Sequence, residues 1–498
     1  MEQRVLLAFA LSALILLIFA PLQRRLAPPP AAPDKRVTPA VVPAVAPRKA
    51  PPQPAAASRA ATQAPWAAAQ PKAAEKETET TVENDLYRVV LSNRGGVVKS
   101  WALKQHRDNR GRPLELVNQA AAASVGYPFM VWTDDQALRS KLNEALFQAQ
   151  ASGERAPATV TLEFADGTLS ARKEFKFHHN SYVVECSSQV NNGSTAVTHE
   201  LAWRGSFGDH SLPEAHLTNA LFTAVPARIE RHGHGDIDRE SRLEGGPFLY
   251  AGIEDMFFAA VFMPAAAAGS GARLSTVRTF RSEYKPEGAK DSKVLIGVGA
   301  GGSAPNHLRA FVGPKALDVL GAVFPEPGAE ERSRQGNPEI SLRDLVDFGW
   351  FAFIAKPLSL GLKWIYQHVV PNYGWAIVLI TVAINTALFP LKLKGMKSAL
   401  KMQQLAPQIK AVQQKYKKLK LNDPRRQQQN QEIMDLYRKH GINPLGGCFP
   451  VLLQIPFLYG FYKVLSVSIE MRQAPWFGLI KDLSAKDPYY VLPVVMTA

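Results

Sequence analysis

Two apolar runs separated by a short, strongly basic segment constrain this chain more than any other feature. The runs are Trp375–Leu391 and Gly446–Ile469. Each is long enough, or nearly so, to cross a hydrocarbon layer ~30 Å thick as a helix. Between them, Lys392–Leu445 carries thirteen Lys/Arg against three Asp/Glu. Basic loops of this length stay on the cytoplasmic side, so both runs are expected to be transmembrane helices, over 373–391 and 446–470. Both also hold side chains that a plain anchor does not need: Thr381 and Asn385 in the first, Gln454, Tyr459, Tyr462, Lys463 and Ser466 in the second. Polar groups at that depth are costly unless they face protein or water, so they are candidate functional residues.

The net charge of +15 is concentrated in that basic loop, which argues against a general nucleic-acid-binding surface. Only two cysteines occur, Cys186 and Cys448, so a disulfide framework is not expected. At the N-terminus, Val5–Ala20 is apolar and Pro21 follows at once. A cleaved signal peptide is one reading, and an uncleaved signal anchor over residues 1–20 is preferred because no small-x-small site appears. Parity with the basic loop then puts the N-terminus in the cytoplasm. Residues 21–82 are dominated by Pro and Ala and read as a semi-extended linker.

Over 83–332 the pattern changes to alternating runs broken by turns. Leu86–Ser92, Arg94-Gly-Gly96 and Val97–Leu103 read strand, turn, strand; Thr159–Phe164 and Thr168–Phe177 repeat it around Ala165-Asp-Gly167, and Tyr182–Val190 follows. Many strands over this length suggest a large all-β sandwich. The domain holds His178, His179, His210, His216, His232 and His234, which could serve acid–base chemistry or a metal. They stand in charged, loop-like sequence without ligand spacing, so neither catalytic nor metal-binding residues are assigned.

Leu342–Val369 alternates aromatic and charged residues, with Pro357 inside, and an interfacial amphipathic helix over 342–370 is expected; a further crossing is the alternative. The loop 392–445 reads as a helical hairpin. Leu405, Ile409, Val412, Tyr416 and Leu419 form an apolar seam, Asn422-Asp423-Pro424 a turn, and Ile433, Leu436, Tyr437 and His440 a second stripe. In the first span, Thr381, Asn385 and Lys392 share one helical face; in the second, Tyr459, Tyr462, Lys463 and Ser466 share another, with Gln454 out of phase. Two facing stripes would line a wet intramembrane groove, whereas isolated ones would only bridge helices by hydrogen bonds. The placement of these residues suggests that the β domain is largely dispensable for whatever they do.

The run Asn443-Pro-Leu-Gly-Gly-Cys-Phe-Pro-Val-Leu-Leu-Gln-Ile-Pro-Phe457 resembles the signature of YidC-type membrane protein insertases. Glu470-Met-Arg-Gln-Ala-Pro475, Asp482-Leu-Ser-Ala-Lys-Asp-Pro-Tyr-Tyr490, Tyr373-Gly-Trp375 and Pro390-Leu391 resemble adjoining segments. Phe257–Pro264 and Phe311–Lys315 look like landmarks of the family's periplasmic domain. The resemblance implies a multi-pass α-helical membrane protein with an inserted all-β periplasmic domain, a mutarotase-like β-supersandwich, and a cytoplasmic helical hairpin. It implies an inner-membrane insertase and chaperone, not an enzyme, without cofactor. Its partners would be nascent membrane proteins, the Sec translocon, the ribosome and acidic lipid headgroups, with no specific nucleic-acid sequence. It also implies spans beyond the apolar run at 489–498, so the chain reads as C-terminally truncated. Where most members carry a groove arginine this chain has Ile384-Asn385-Thr386, and Lys463 is the candidate replacement for that charge. A membrane-anchored, mutarotase-like carbohydrate enzyme and a transporter are the rival readings.

Overall fold

The computed structural model describes residues 71–498 apart from 211–217, 225–227, 238–240, 245, 266–272, 287, 289–290, 303–304, 324–341, 418–424, 442–448, 479, 486, 488–489, 491–493 and 495–498. The N-terminal apolar run, most of the Pro/Ala linker, His216, Leu419, the hairpin turn at 422–424, the start of the second apolar run and most of the last one lie outside the described residues.

Alternating apolar residues pair into three antiparallel sheets. The first runs Glu79–Glu83, Tyr87–Ser92, Val97–Arg107, Pro113–Glu115, in chain order. The linker is therefore shorter than its composition suggests. Lys72 already exchanges backbone hydrogen bonds with Ala165, at 2.9 and 2.8 Å, and strand structure begins at Glu79. A ten-stranded sheet includes the expected hairpins as Ala158–Asp166, Leu169–Phe177 and Val183–Asn192, and continues through Asn306–Pro314 and Phe258–Pro264. A five-stranded sheet places Lys293–Gly302 between Thr276–Tyr284 and His199–Trp203.

The sheets share one aromatic core centred on Phe129. Its ring lies 6.5 Å from Trp101 of the first sheet, 5.3 and 5.4 Å from Phe175 and Phe262 of the second, and 6.3 Å from Trp203 of the third. All five are buried, and each ring contributes roughly 1.5–3 kcal/mol by burial. Phe129 holds a left-handed backbone (φ 64°), as do Gly95 and Gly96 in the first hairpin turn (φ 68° and 57°). One side chain fastens all three. Lys173, fully buried, donates to Gly95 O, Gly96 O and Phe129 O at 2.7, 3.0 and 2.8 Å.

The chain leaves the β domain through a 3-10 turn, Leu342–Leu345. Leu342, Leu345, Val346 and Phe348 are buried in the core that the β domain shares with the helices, and Leu345 O accepts from Arg231 of the β domain at 3.3 Å. Helix α1 is Ala352–His368, and it continues through Pro357. Helix α2 is Tyr373–Lys415 and does not stop at the expected span boundary. Between Leu391 and Lys415 the residues are mostly Lys, Leu, Met, Ala and Gln, all good helix formers, and Pro390 and Pro407 lie inside the helix. At 43 residues it is ~65 Å long. Among the described residues it is the one helix long and apolar enough to cross a membrane. Helix α3, Arg425–Lys439, folds back on it, and α4, Phe449–Val467, is apolar and shorter. The sheets and these helices belong to one unit.

Lys173 yields a test. Burial pushes its ammonium down to about 7, while three carbonyl acceptors favour the charged form. Because the unfolded lysine keeps its proton to about 10.5, the unfolded chain binds more protons between these values. Stability of the β domain should therefore rise with pH from about 7 to about 9, above which buried Cys186, pushed up to about 12, works in the opposite direction. Lys173→Met should remove that rise and cost about 2–4 kcal/mol through three orphaned carbonyls. Tryptophan-monitored denaturation of the intact chain across this pH range checks both.

Candidate functional site

The expected polar residues lie on α2 and α4, two of the four described helices that follow the β domain. On α2, Ala376 and Ile380 are buried against the rest of the helical layer, while Trp375, Leu379, Val382 and Ala383 are exposed on another side. The polar face runs between these two sides. Thr381 Oγ1 donates to Ile377 O at 2.7 Å, Asn385 Nδ2 donates to Thr381 O at 2.9 Å, and Lys392 Nζ donates to Asn385 Oδ1 at 2.6 Å. A helical side chain leans toward the N-terminus of its helix, which carries the Lys392 charge back along the apolar stretch. Among the described residues no acidic side chain forms an ion pair with Lys392. The result is a ladder that ends in a cation held by an amide.

On α4, Gly460 permits close approach to α1: a Cβ there would stand 3.3 Å from Ile354 Cγ2. That contact turns Tyr459 and Lys463 toward the chain entering α1. Tyr459 packs edge-on against Phe351 at 5.5 Å, and a Cβ on Gly349 would meet Lys463 Cε at 3.5 Å and the Tyr459 hydroxyl at 3.6 Å. Tyr462 is exposed, and Ser466 Oγ donates to its carbonyl at 2.8 Å. Thus Thr381, Asn385 and Lys392 are joined to one another, and Tyr459, Tyr462, Lys463 and Ser466 form a second group on α4. Among the described residues no hydrogen bond connects the two groups. Lys463 stands beside Gly349 and not at Asn385, where Lys392 supplies the nearest charge. Gln454 is half-exposed on α4.

In the second half of α2, Leu405 is buried and Ile409, Val412 and Tyr416 are half-buried, facing α3 with its half-buried Ile433, Leu436 and Tyr437. Glu432 closes the pair, accepting from Lys415 Nζ at 2.8 Å and Tyr416 Oη at 2.7 Å. In the β domain, His178 lies 3.3 Å from Glu185 and His232 lies 3.6 Å from Glu244. No group of three potential metal ligands occurs among the described residues.

Two sets of contacts were not anticipated from sequence. Asn372 caps α2 by accepting from Trp375 N at 3.2 Å, and its amide donates to Pro475 O and Trp476 O at 3.1 and 3.0 Å. It thereby ties the start of α2 to the segment after α4, and Trp476 covers Gly374, where any Cβ would overlap the indole. Beside it, Arg472 and Gln473 reach the β domain. An Asn before an apolar run is a readable cap signal. Nothing local announces the partners of Arg472.

Residues 79–360 match the model described as YidC periplasmic domain, and residues 364–498 match the 60Kd inner membrane protein model. A protein of Syntrophus aciditrophicus named membrane protein insertase YidC is 31% identical over 100% of this chain and 89% of its own length. One of the same name from Citrifermentans bemidjiense is 32% identical over 84% of this chain and 74% of its own. A solved structure titled as active YidC insertase with the first transmembrane domain resolved is 18% identical, covers 86% of this chain and 81% of that one, and has a TM-score of 0.29. A galactose mutarotase-like protein from Lactobacillus casei, 10% identical, covers 48% of this chain and 100% of that one, at a TM-score of 0.32.

The seam between α2 and α3 is short, so it should open easily. Ile409→Asp with Val412→Asp should make 405–437 much more sensitive to limited proteolysis without changing cleavage of the β domain. Unchanged sensitivity would show that the seam carries no packing energy.

Proposed function

The chain belongs to the YidC family of membrane protein insertases, and from that premise we propose that it inserts proteins by way of a polar groove built from α2 and α4. It is an inner-membrane protein with a periplasmic β domain. In our reading α2 (Tyr373–Leu391) and α4 are spans of a multi-pass protein whose N-terminus is cytoplasmic. The rest of α2 with α3 is a cytoplasmic hairpin, and α1 lies in the outer interface. The exposed Phe353, Leu360 and Trp364 of α1 support its interfacial position, because they recur on one side of the helix with Ala355 and Leu362 buried.

The observation that carries the groove is the ladder Thr381–Asn385–Lys392. In hydrocarbon, unsatisfied polar groups cost several kcal/mol, and a charge costs about 3 kcal/mol or more. A lysine at a cytoplasmic boundary ordinarily extends outward to water. Here it bends inward and is held, which is reasonable only if the face it occupies is wet. Water along Thr381, Asn385 and Lys392, with Tyr459, Tyr462, Lys463 and Ser466 as the second wall, would let a hydrophilic segment enter part-way while its apolar part moves into lipid. No covalent step is required. The substrates are nascent membrane proteins. The exposed Lys394, Lys397, Lys401 and Lys410 suit acidic headgroups, a ribosome or the emerging chain, and cooperation with the Sec translocon belongs to the same reading.

Insertion into vesicles of a substrate whose translocated tail is acidic tests the groove. Asn385→Leu combined with Lys392→Met should slow insertion about tenfold, since each membrane hydrogen-bonding group is worth on average ~0.6 kcal/mol and two are lost. Lys463→Met should slow it less, and a tail without charge should be less sensitive to all three changes. Insertion by the double variant at the parental rate would remove the ladder from the mechanism.

A further inference from the structure

The segment after α4 is anchored in the β domain by a buried ion pair. The Arg472 guanidinium meets the Asp209 carboxylate, with side chains only 3% and 0% exposed, across 263 positions of sequence. The same Arg472 nitrogen donates to Arg107 O at 2.6 Å, and the guanidinium lies 5.5 Å from the Phe258 ring centre. Gln473 donates from its side chain to Arg107 O at 2.7 Å and Asp108 O at 3.3 Å. Its backbone is left-handed (φ 58°), a costly state for glutamine, and is held by Asp482, which accepts from Gln473 N at 2.9 Å.

Asp209 is presented just as firmly. Fully buried Asp255 accepts from Asp209 N, Phe257 N and Phe258 N at 2.9, 2.8 and 2.6 Å. Gly208 (φ 105°) lies so close to Asp255 that any Cβ would overlap its carboxylate. A buried ion pair is poor glue, because desolvation offsets its attraction, but it tolerates one register only. Arg472 follows α4 by five residues, and the same segment is tied to the start of α2 by Asn372.

We propose that Arg472 and Asp209 are positioning residues for insertion: through them the β domain fixes the outer end of α4, and so the placement of its polar face against α1 and α2. This rests on the groove reading above, and it gives the β domain a share in insertion that the sequence did not suggest.

The test uses the intact protein in membranes, with Arg472→Met, Arg472→Lys, Asp209→Asn and the double variant Arg472→Met/Asp209→Asn. Insertion rate is measured at matched protein abundance, together with photocross-linking from position 462 to a stalled substrate. Each neutralising variant should slow insertion about three- to tenfold, the scale of coupling through packed networks. The double variant should be no slower than the worse single one, Arg472→Lys should recover most of the rate, and the cross-link should weaken in step. Parental rates in the neutralising variants, or defects that add, would overturn the proposal. Should Arg472→Met fail to accumulate, the near-isosteric Asp209→Asn decides. Absence of the cross-link in the parent protein would count against the groove reading instead, and the rates would still decide the positioning role.

Discussion

A helix whose apolar side chains find no protein to cover them needs another apolar medium, and that constraint organises the second half of this molecule. Trp375, Leu379 and Val382 on α2, Leu452, Ile455 and Leu458 on α4, and Phe353, Leu360 and Trp364 on α1 are all exposed in the folded chain. At ~25 cal/mol per Å² such surface would be strongly unfavourable in water and costs nothing in lipid. Once lipid is the solvent, each polar side chain on these helices requires an explanation. The ladder on α2 satisfies its hydroxyl and amide within the helix, but among the described residues its terminal ammonium has only a neutral oxygen as partner. That imbalance points to water beside α2.

The β domain is stabilised by the opposite means. Its core is a closed aromatic cluster around Phe129, and three of its buried charges have close partners: Lys173 on three carbonyls, Asp255 on three backbone N–H groups, Asp209 on Arg472. Breaking a buried pair by removing one partner costs about 3–5 kcal/mol, whereas forming it stabilises little. The Asp209–Arg472 contact is therefore better understood as a register between the β domain and the helices than as a source of affinity.

The strands were legible because alternation and turn chemistry agree locally. Gly95 and Gly96 mark the first turn because both adopt positive φ, and Val97–Arg107 alternates as a half-buried strand. The face shared by Thr381, Asn385 and Lys392 was legible for the same reason, since helical spacing is fixed. Three boundaries were not. Lys72 and Glu79 look like linker until their partners, Ala165 and Ser92, are known. Leu342–Phe348 looks amphipathic, but Leu342, Leu345, Val346 and Phe348 are buried in the core shared by the β domain and the helices. Lys392 looks like the end of a span because charge begins there, yet nothing in its backbone stops a helix. The charge assigned to Lys463 depended on how α4 packs, and Gly460 against Ile354 is a tertiary contact that spacing does not encode. The Arg472–Asp209 pair was the least legible, because neither residue has a local signature.

The central claim is that the α2 ladder faces water inside the membrane, and accessibility of a thiol tests it most directly. In a chain carrying Cys186→Ser and Cys448→Ser, single cysteines are placed at Asn385, on the ladder, and at Leu379 and Ala383, on the exposed apolar side of the same helix. Each is treated in intact membranes with a charged maleimide, which requires water and an ionised thiol. The account predicts rapid labelling of Asn385→Cys and little of Leu379→Cys or Ala383→Cys. Equal protection at all three positions would show that the ladder is sealed in lipid or protein, and the groove would not exist.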